Sequence, residues 1–256
     1  MFRHAIVRKP GENFSQGLTS ANVGTPDFEL ALAQHEAYCQ ALESCGVEVI
    51  CLPPDVVHPD STFVEDTAIL TSKSAILTRP GAPSRRGEVA SVRDAVCQFY
   101  PTVHEIWPPG TLDGGDVCQA GSHFFAGISE RTNDKGARQL ADFLSADGFT
   151  CSTVEIRGMR SILHLKSGIA YLGDNILVVT EELAGREEFA SYDCVVVSRA
   201  ETYGCNCVQV NDYVLMAAGF DRLRSELERR KFRLIALEMS EFRTMDGGLS
   251  CLSLRF

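Results

Sequence analysis

The stretch Ala68-Ile69-Leu70-Thr71-Ser72-Lys73-Ser74-Ala75-Ile76-Leu77-Thr78 sets two copies of Ala-Ile-Leu-Thr on either side of a Ser-Lys-Ser turn. Two short apolar runs joined by a small polar turn read as a β-hairpin. A helical pattern follows from Glu88 to Phe99, with Val89, Val92, Ala95 and Val96 on one face, and then a strand from Val103 to Trp107. Hairpin, helix and strand form one ββαβ unit, and the chain repeats it.

The second copy reads Val117 to Ala120, His123 to Gly127, a helix from Asn133 to Ala146, and a strand from Thr150 to Ile156. The third reads Gly168 to Leu172, Asn175 to Thr180, a helix over Glu181 to Ala190, and Cys194 to Val197. The fourth reads Val208 to Asn211, Val214 to Ala218, a helix over Asp221 to Arg230, and Arg233 to Leu237. Hairpins recur roughly every 40–50 residues, a spacing typical of repeat and propeller architectures.

A fifth unit is split across the ends of the chain. Leu249 to Leu254 supplies its first strand, with Cys251 and Ser253 on one face and Leu252 and Leu254 on the other, and His4 to Arg8 its second. Asp246-Gly247-Gly248 ahead of it is fit to bend the chain or admit a ligand. The helix begins at Thr25-Pro26-Asp27, read as an N-cap, a proline at N1 and a first-turn acid, and stops at Gly46 before a strand from Glu48 to Leu52. An ordinary α+β domain with irregular hairpins would use the same elements. The recurrence favours an α/β five-bladed propeller with pseudo-fivefold symmetry, residues 1–256 as one domain, closed by pairing of the N- and C-terminal strands.

The 256 residues carry a net charge of -10, which argues against a nucleic-acid or anionic-membrane surface. Met1 to Arg8 lacks the apolar run of an export leader, and no stretch approaches the roughly 20 apolar residues of a membrane helix. A cytoplasmic protein is expected, as a monomer or homodimer, with its ten cysteines as reduced thiols. None of them forms Cys-x-x-Cys, and Cys205-Asn206-Cys207 has no second cluster at zinc-site spacing.

Rotation would bring together the segments that precede the first strand of each unit. These are Asp60-Ser61-Thr62-Phe63-Val64-Glu65-Asp66, Thr111-Leu112-Asp113-Gly114-Gly115-Asp116, His164-Leu165-Lys166-Ser167, Tyr203-Gly204-Cys205-Asn206 and Asp246 to Cys251. Taken singly, Cys251 is a small buried thiol, His164 a structural histidine, the aspartates turn residues, and Arg85, Arg86 and Arg131 surface charges. Taken together, a thiol, a histidine and several carboxylates form a set for nucleophilic catalysis. Carboxylates around a thiol repel an oxyanion and hold a cation. A planar guanidinium matches them in pairs, and its charge favours the thiolate.

These residues match a known family. Gly17-Leu18-Thr19-Ser20, Phe63-Val64-Glu65-Asp66, Thr78-Arg79-Pro80-Gly81, Ser84-Arg85-Arg86-Gly87-Glu88, Leu112-Asp113-Gly114-Gly115-Asp116, Arg131-Thr132-Asn133, His164-Leu165-Lys166 and Asp246-Gly247-Gly248 through Cys251 make the chain resemble the dimethylarginine dimethylaminohydrolases of the guanidine-modifying (pentein) superfamily, whose fold is a five-bladed α/β propeller. The resemblance implies hydrolysis of Nω-methylated arginine to citrulline and a methylamine through a covalent Cys251 adduct. It implies His164 as general acid and then base, and Asp66 and Asp113 as holders of the guanidinium. Position 113 is Glu in some bacterial relatives. Arg85 and Arg131 are expected to bind the amino acid's carboxylate, with Asp60 and the backbone at Leu18 and Met245 near its amino end, and Glu65 somewhere in the site. No cofactor is implied, although zinc can bind Cys251 and His164 as an inhibitor.

Arginine deiminases share the propeller but are longer, with Phe-Thr-Arg-Asp in place of Phe63-Val64-Glu65-Asp66 and His-x-Asp in place of His164-Leu165-Lys166. Lys166 removes an acceptor for the second terminal nitrogen, which in a methylated guanidine has fewer hydrogens to give. An arginine or other guanidine deiminase is the neighbouring alternative. A non-catalytic ribosome-binding propeller lacks the Cys–His–acid set that this chain keeps.

Overall fold

Fifteen strands, among the described residues, sort into five three-stranded sheets of a single pattern. The computed structural model describes residues 1–21, 23–159 and 161–256. In chain order the elements are β1 (His4–Arg8), α1 (Phe28–Ser44), β2 (Glu48–Leu52), β3 (Ala68–Leu70), β4 (Ala75–Leu77), α2 (Glu88–Val96), β5 (Val103–Glu105), β6 (Val117–Ala120), β7 (His123–Ile128), α3 (Asp134–Ala146), β8 (Thr150–Glu155), β9 (Ile169–Tyr171), β10 (Ile176–Thr180), β11 (Asp193–Val197), β12 (Val208–Val210), β13 (Tyr213–Ala217), α4 (Asp221–Arg229), β14 (Arg233–Leu237), α5 (Ser240–Arg243) and β15 (Ser253–Arg255). In every sheet the middle strand pairs antiparallel with the one before it in its unit and parallel with the one after.

The Ala-Ile-Leu-Thr repeat forms the hairpin it suggests, with Ile69 opposite Ile76 and Ala68 opposite Leu77. Ala75, Ile76 and Leu77 are all buried, because a middle strand has apolar neighbours on both faces and so reads as a continuous apolar run. The ring closes where expected: Ile6 of β1 lies opposite Leu254 of β15 on one side and Ile50 of β2 on the other. This pairing makes β1 a middle strand, while β15 stays at the inner edge of the sheet and packs against β3 of the next one.

Three local expectations change. The cap of α1 is Asp27, whose side chain accepts the Leu30 N–H at 3.0 Å, so the helix starts beyond Thr25 and Pro26. The third unit has no α-helix over Glu181 to Ala190. Winding ends where the N–H groups of Leu183 and Ala184 both bond the Thr180 carbonyl, Gly185 turns at φ 81°, and only a short turn at Glu187–Phe189 remains. Cys251 lies in no strand. Ser250–Leu252 forms one 3₁₀ turn, and extended pairing starts only at Ser253. The left-handed residue of that approach is Asp246, at φ 58°, rather than either glycine.

The first strands of the units surround the axis: β15 meets β3, and β9 meets both β6 and β12. Each is entered through a 3₁₀ turn, at Val64–Thr67, Gly114–Asp116, Leu165–Ser167, Arg199–Cys205 and Ser250–Leu252. These turns touch one another in succession at one end of the axis, so the polar segments converge as the repeat requires. No helix among the described residues is long and apolar enough to cross a membrane.

Candidate active site

Asp113 and His164 meet at the centre of this end, Oδ2 to Nε2 at 3.0 Å, and Asp66 Oδ1 lies 4.0 Å from the same nitrogen. Asp113 has no exposed surface, and Asp66 and His164 are also buried. The Asp113-Gly114-Gly115-Asp116 turn makes this possible through its glycines. A Cβ on Gly114 would stand 2.0 Å from the Glu65 carbonyl oxygen, and one on Gly115 would stand 2.9 Å from both Cγ and Nδ1 of His164. Asp66 Oδ1 accepts the Gly115 N–H at 2.8 Å, and Asp113 Oδ1 accepts the Gly81 N–H at 2.8 Å.

Burial opposes charge on His164, yet the carboxylates of Asp66, Asp116 and Asp113 outweigh it and raise the imidazole to about 10. Asp66 is held down at about 2: burial works against its charge, but His164, Arg85 and the Gly115 N–H prevail. At neutral pH the centre therefore holds an imidazolium among carboxylates.

Asp66 acts electrostatically on Cys251 as well as on His164. Burial, then the negative fields of Glu65 and Asp66, push the Cys251 thiol up to about 12, against the Gly248 N–H that points at the sulfur from 3.4 Å. No hydrogen bond joins Cys251 to His164 among the described residues. The thiol is therefore protonated at neutral pH in the ligand-free protein.

Asp116 was legible only as a turn acid, and it proves to be a strut. Its Oδ1 accepts the N–H of Leu165, next to His164, at 3.0 Å, and its Oδ2 accepts the Ser129 hydroxyl at 2.6 Å. Ser129 Oγ in turn accepts the N–H groups of Arg131 and Thr132, each at 3.0 Å. Its signal in the sequence was a second aspartate after the glycine pair, which alone cannot be told from a turn former.

The two arginines expected to share one role are placed differently. Among the described residues the Arg131 guanidinium has no protein partner, and its charge reaches Asp60. Arg85 is buried and committed. It donates from Nε and Nη2 to the Glu88 carboxylate, from Nη2 to the carbonyl of Phe63 at 3.0 Å, and from Nη1 to Asp66. In this conformation its Nη1 braces Asp66. Long Arg85 stays inside because its donors find buried acceptors on three sides.

Glu65, expected among the substrate contacts, has both oxygens engaged by protein: Lys166 Nζ at 2.7 Å and Ser250 Oγ at 2.7 Å. Its charge still acts on Cys251 through the Ser250 turn. Asp60 accepts the Leu18 N–H at 2.9 Å, and Gly17 packs against both Asp60 and the Met245 side chain, so the three expected residues lie together. A cavity of about 280 Å³ reaches Gly247 and Gly248 beside Cys251, with Val23, Leu163 and Tyr203 among its walls. Among the described residues the metal-ligating atoms of Asp66, Asp113 and His164 lie within 4.8 Å of one another, and Cys251, expected to share a zinc with His164, is not in that group.

Comparison with known proteins follows the same lines. Residues 53–195 match the family model described as arginine deiminase. The N(G),N(G)-dimethylarginine dimethylaminohydrolase of Pseudomonas aeruginosa is 45% identical over all of both chains, and that of Streptomyces coelicolor is 33% identical over 99% of this chain and 96% of the other. A solved structure of a cysteine-to-serine variant of the Pseudomonas protein, complexed with citrulline, superposes over the whole of both chains at TM-score 0.97 and 44% identity.

Proposed function

The chain belongs to the dimethylarginine dimethylaminohydrolase family, within the arginine deiminase superfamily, and from that premise we infer that it hydrolyses Nω,Nω-dimethylarginine, and the monomethyl form, to citrulline with release of dimethylamine or methylamine. The observation that carries the reading in this chain is a buried imidazolium ringed by Asp66, Asp113 and Asp116, near a thiol that burial, Glu65 and Asp66 keep protonated. Such a site favours a cation and is inactive until one arrives.

The guanidinium enters between Cys251 and the carboxylates of Asp66 and Asp113, whose remaining lone pairs accept its N–H groups. Its positive charge offsets Glu65 and Asp66 and favours loss of the thiol proton to solvent. The thiolate adds to the guanidinium carbon. His164 gives its proton to the dimethylated nitrogen, the C–N bond breaks, and dimethylamine leaves a thiouronium on Cys251. His164, now neutral, takes a proton from the water that attacks this carbon. The C–S bond breaks, and the proton left on the carbonyl oxygen returns to the thiolate, giving citrulline. Arg131 receives the amino acid's carboxylate, and Asp60 with the backbone at Leu18 and Met245 lies at its amino end. Lys166, paired with Glu65 where deiminases carry an acid, supports preference for a methylated nitrogen.

The test is a citrulline assay with dimethylarginine, monomethylarginine, arginine and agmatine, on the wild type and on Cys251→Ser. The reading expects methylated arginines to be preferred and the serine variant to be inert while folded. Preference for arginine, or a serine variant within tenfold of wild type, overturns it.

A further inference from the structure

A second cavity, about 850 Å³, occupies the axis on the side away from His164 and Asp113. Its walls are the first strands of the blades, and it runs from Glu65, Lys166 and Ser250 at its floor to the hairpin end at Ser72. We propose that it is a binding site for a small organic anion, a carboxylate or sulfonate head on an apolar body, distinct from the site of hydrolysis.

The floor selects the sign of charge. Lys166 and Arg255 both face one carboxylate, Glu65, with Lys166 Nζ at 2.7 Å and Arg255 Nη2 at 3.9 Å from its Oε1. Two cations against one anion leave a positive balance in a partly desolvated place, where a charge acts more strongly than in water. The hydrogen-bond inventory agrees. Glu65 spends its oxygens on Lys166 and Ser250, while among the described residues Arg255 Nε and Nη2 hold no hydrogen bond and Lys166 Nζ holds one. The floor is rich in donors and short of acceptors, which suits a carboxylate or sulfonate and excludes a guanidinium.

The walls select the rest of the ligand. Leu70 and Tyr171 line the lumen between Gln119 and Gln209, and His4, Phe99 and Phe256 cluster at one side of it, with ring centroids 5.0–5.3 Å apart. The volume falls within the usual range for small-molecule sites, about 300–1,000 Å³.

The probe is 8-anilinonaphthalene-1-sulfonate, an aromatic anion whose fluorescence rises in apolar surroundings, titrated into the full-length folded protein. The expected result is saturable binding of one probe per chain. Octanoate should displace it, whereas octanol and citrulline at equal concentration should not. Arg255→Gln should weaken binding at least tenfold. Gln119→Trp, at an exposed wall position, should block it by filling the lumen with the floor charges intact. Retained dimethylarginine turnover in both variants reports that they are folded. Absence of saturable binding, binding unchanged in both variants, or displacement by citrulline would overturn the proposal.

Discussion

Asp116 accepts the hydroxyl of Ser129 at 2.6 Å, and by that bond one buried carboxylate reaches both ends of the site. Its other oxygen holds the Leu165 N–H next to His164, while Ser129 holds the N–H of Arg131. His164 and Arg131, the acid and the carboxylate-binding arginine of the proposed mechanism, are thus positioned from the same residue. Burial raises Asp116 itself to about 6, against the pull of His164 and Ser129, so it is ionised at working pH and its charge supports the imidazolium.

Asp116→Asn should therefore act twice. Loss of a hydrogen bond to a charged group is worth about 1.5–3 kcal/mol, so kcat/KM should fall roughly 10- to 150-fold. Removal of a negative charge also lowers the imidazole from about 10, and the alkaline limb of kcat/KM should move to lower pH. A merely structural strut would lower the plateau and leave the limb where it was.

The protonated thiol makes a separate prediction. Alkylation of the ligand-free protein at Cys251 by iodoacetamide should be slow at pH 7 and still be rising above pH 9, since burial, Glu65 and Asp66 hold the thiol at about 12. Glu65→Gln removes one of those negative charges and should shift the alkylation profile to lower pH. Mass spectrometry of the Cys251 peptide separates it from the other thiols.

Arg131 and Arg85 can be told apart by substrate. Arg131 is free to make a directional contact with a carboxylate, which lysine copies poorly. Arg131→Lys should cost about 2–5 kcal/mol in kcat/KM for dimethylarginine, roughly 30- to several-thousand-fold, and far less for a methylated guanidine lacking the carboxylate. Arg85→Lys, by loosening Asp66 and stranding the buried Glu88, should depress both substrates alike and lower the melting temperature. Arg86→Lys loses only a bond to the Pro80 carbonyl and is the neutral control.

Gly115→Ala tests the contact on which the imidazole rests. Its Cβ would enter within 2.9 Å of His164 and of Asp66 Oδ1, so the ring must swing from Asp113. A fall in kcat of at least about tenfold is expected, with a cooperative unfolding transition retained, read by steady-state kinetics and calorimetry.

Repeat order, ring closure and the gathering of Cys251, His164 and the carboxylates were all present in the one-dimensional pattern. Apolar alternation and turn residues record which backbone segments are buried, and a recurring unit implies a rotation. The shortened strand at Ser253 and the missing helix after Thr180 were not, because both turn on local backbone choices that neighbouring sheets decide. Repeat position placed Asp113 and His164 in one region, and the family resemblance added Arg131. Neither could say that Arg85 would be spent on Asp66 and Glu88, that Glu65 would face Lys166 across the axis, or that Asp116 would carry the Leu165 and Ser129 bonds. A charged side chain is long enough to reach several partners, and which one it takes depends on distances between residues far apart in the chain. Those distances exist only once the five sheets have closed into a ring.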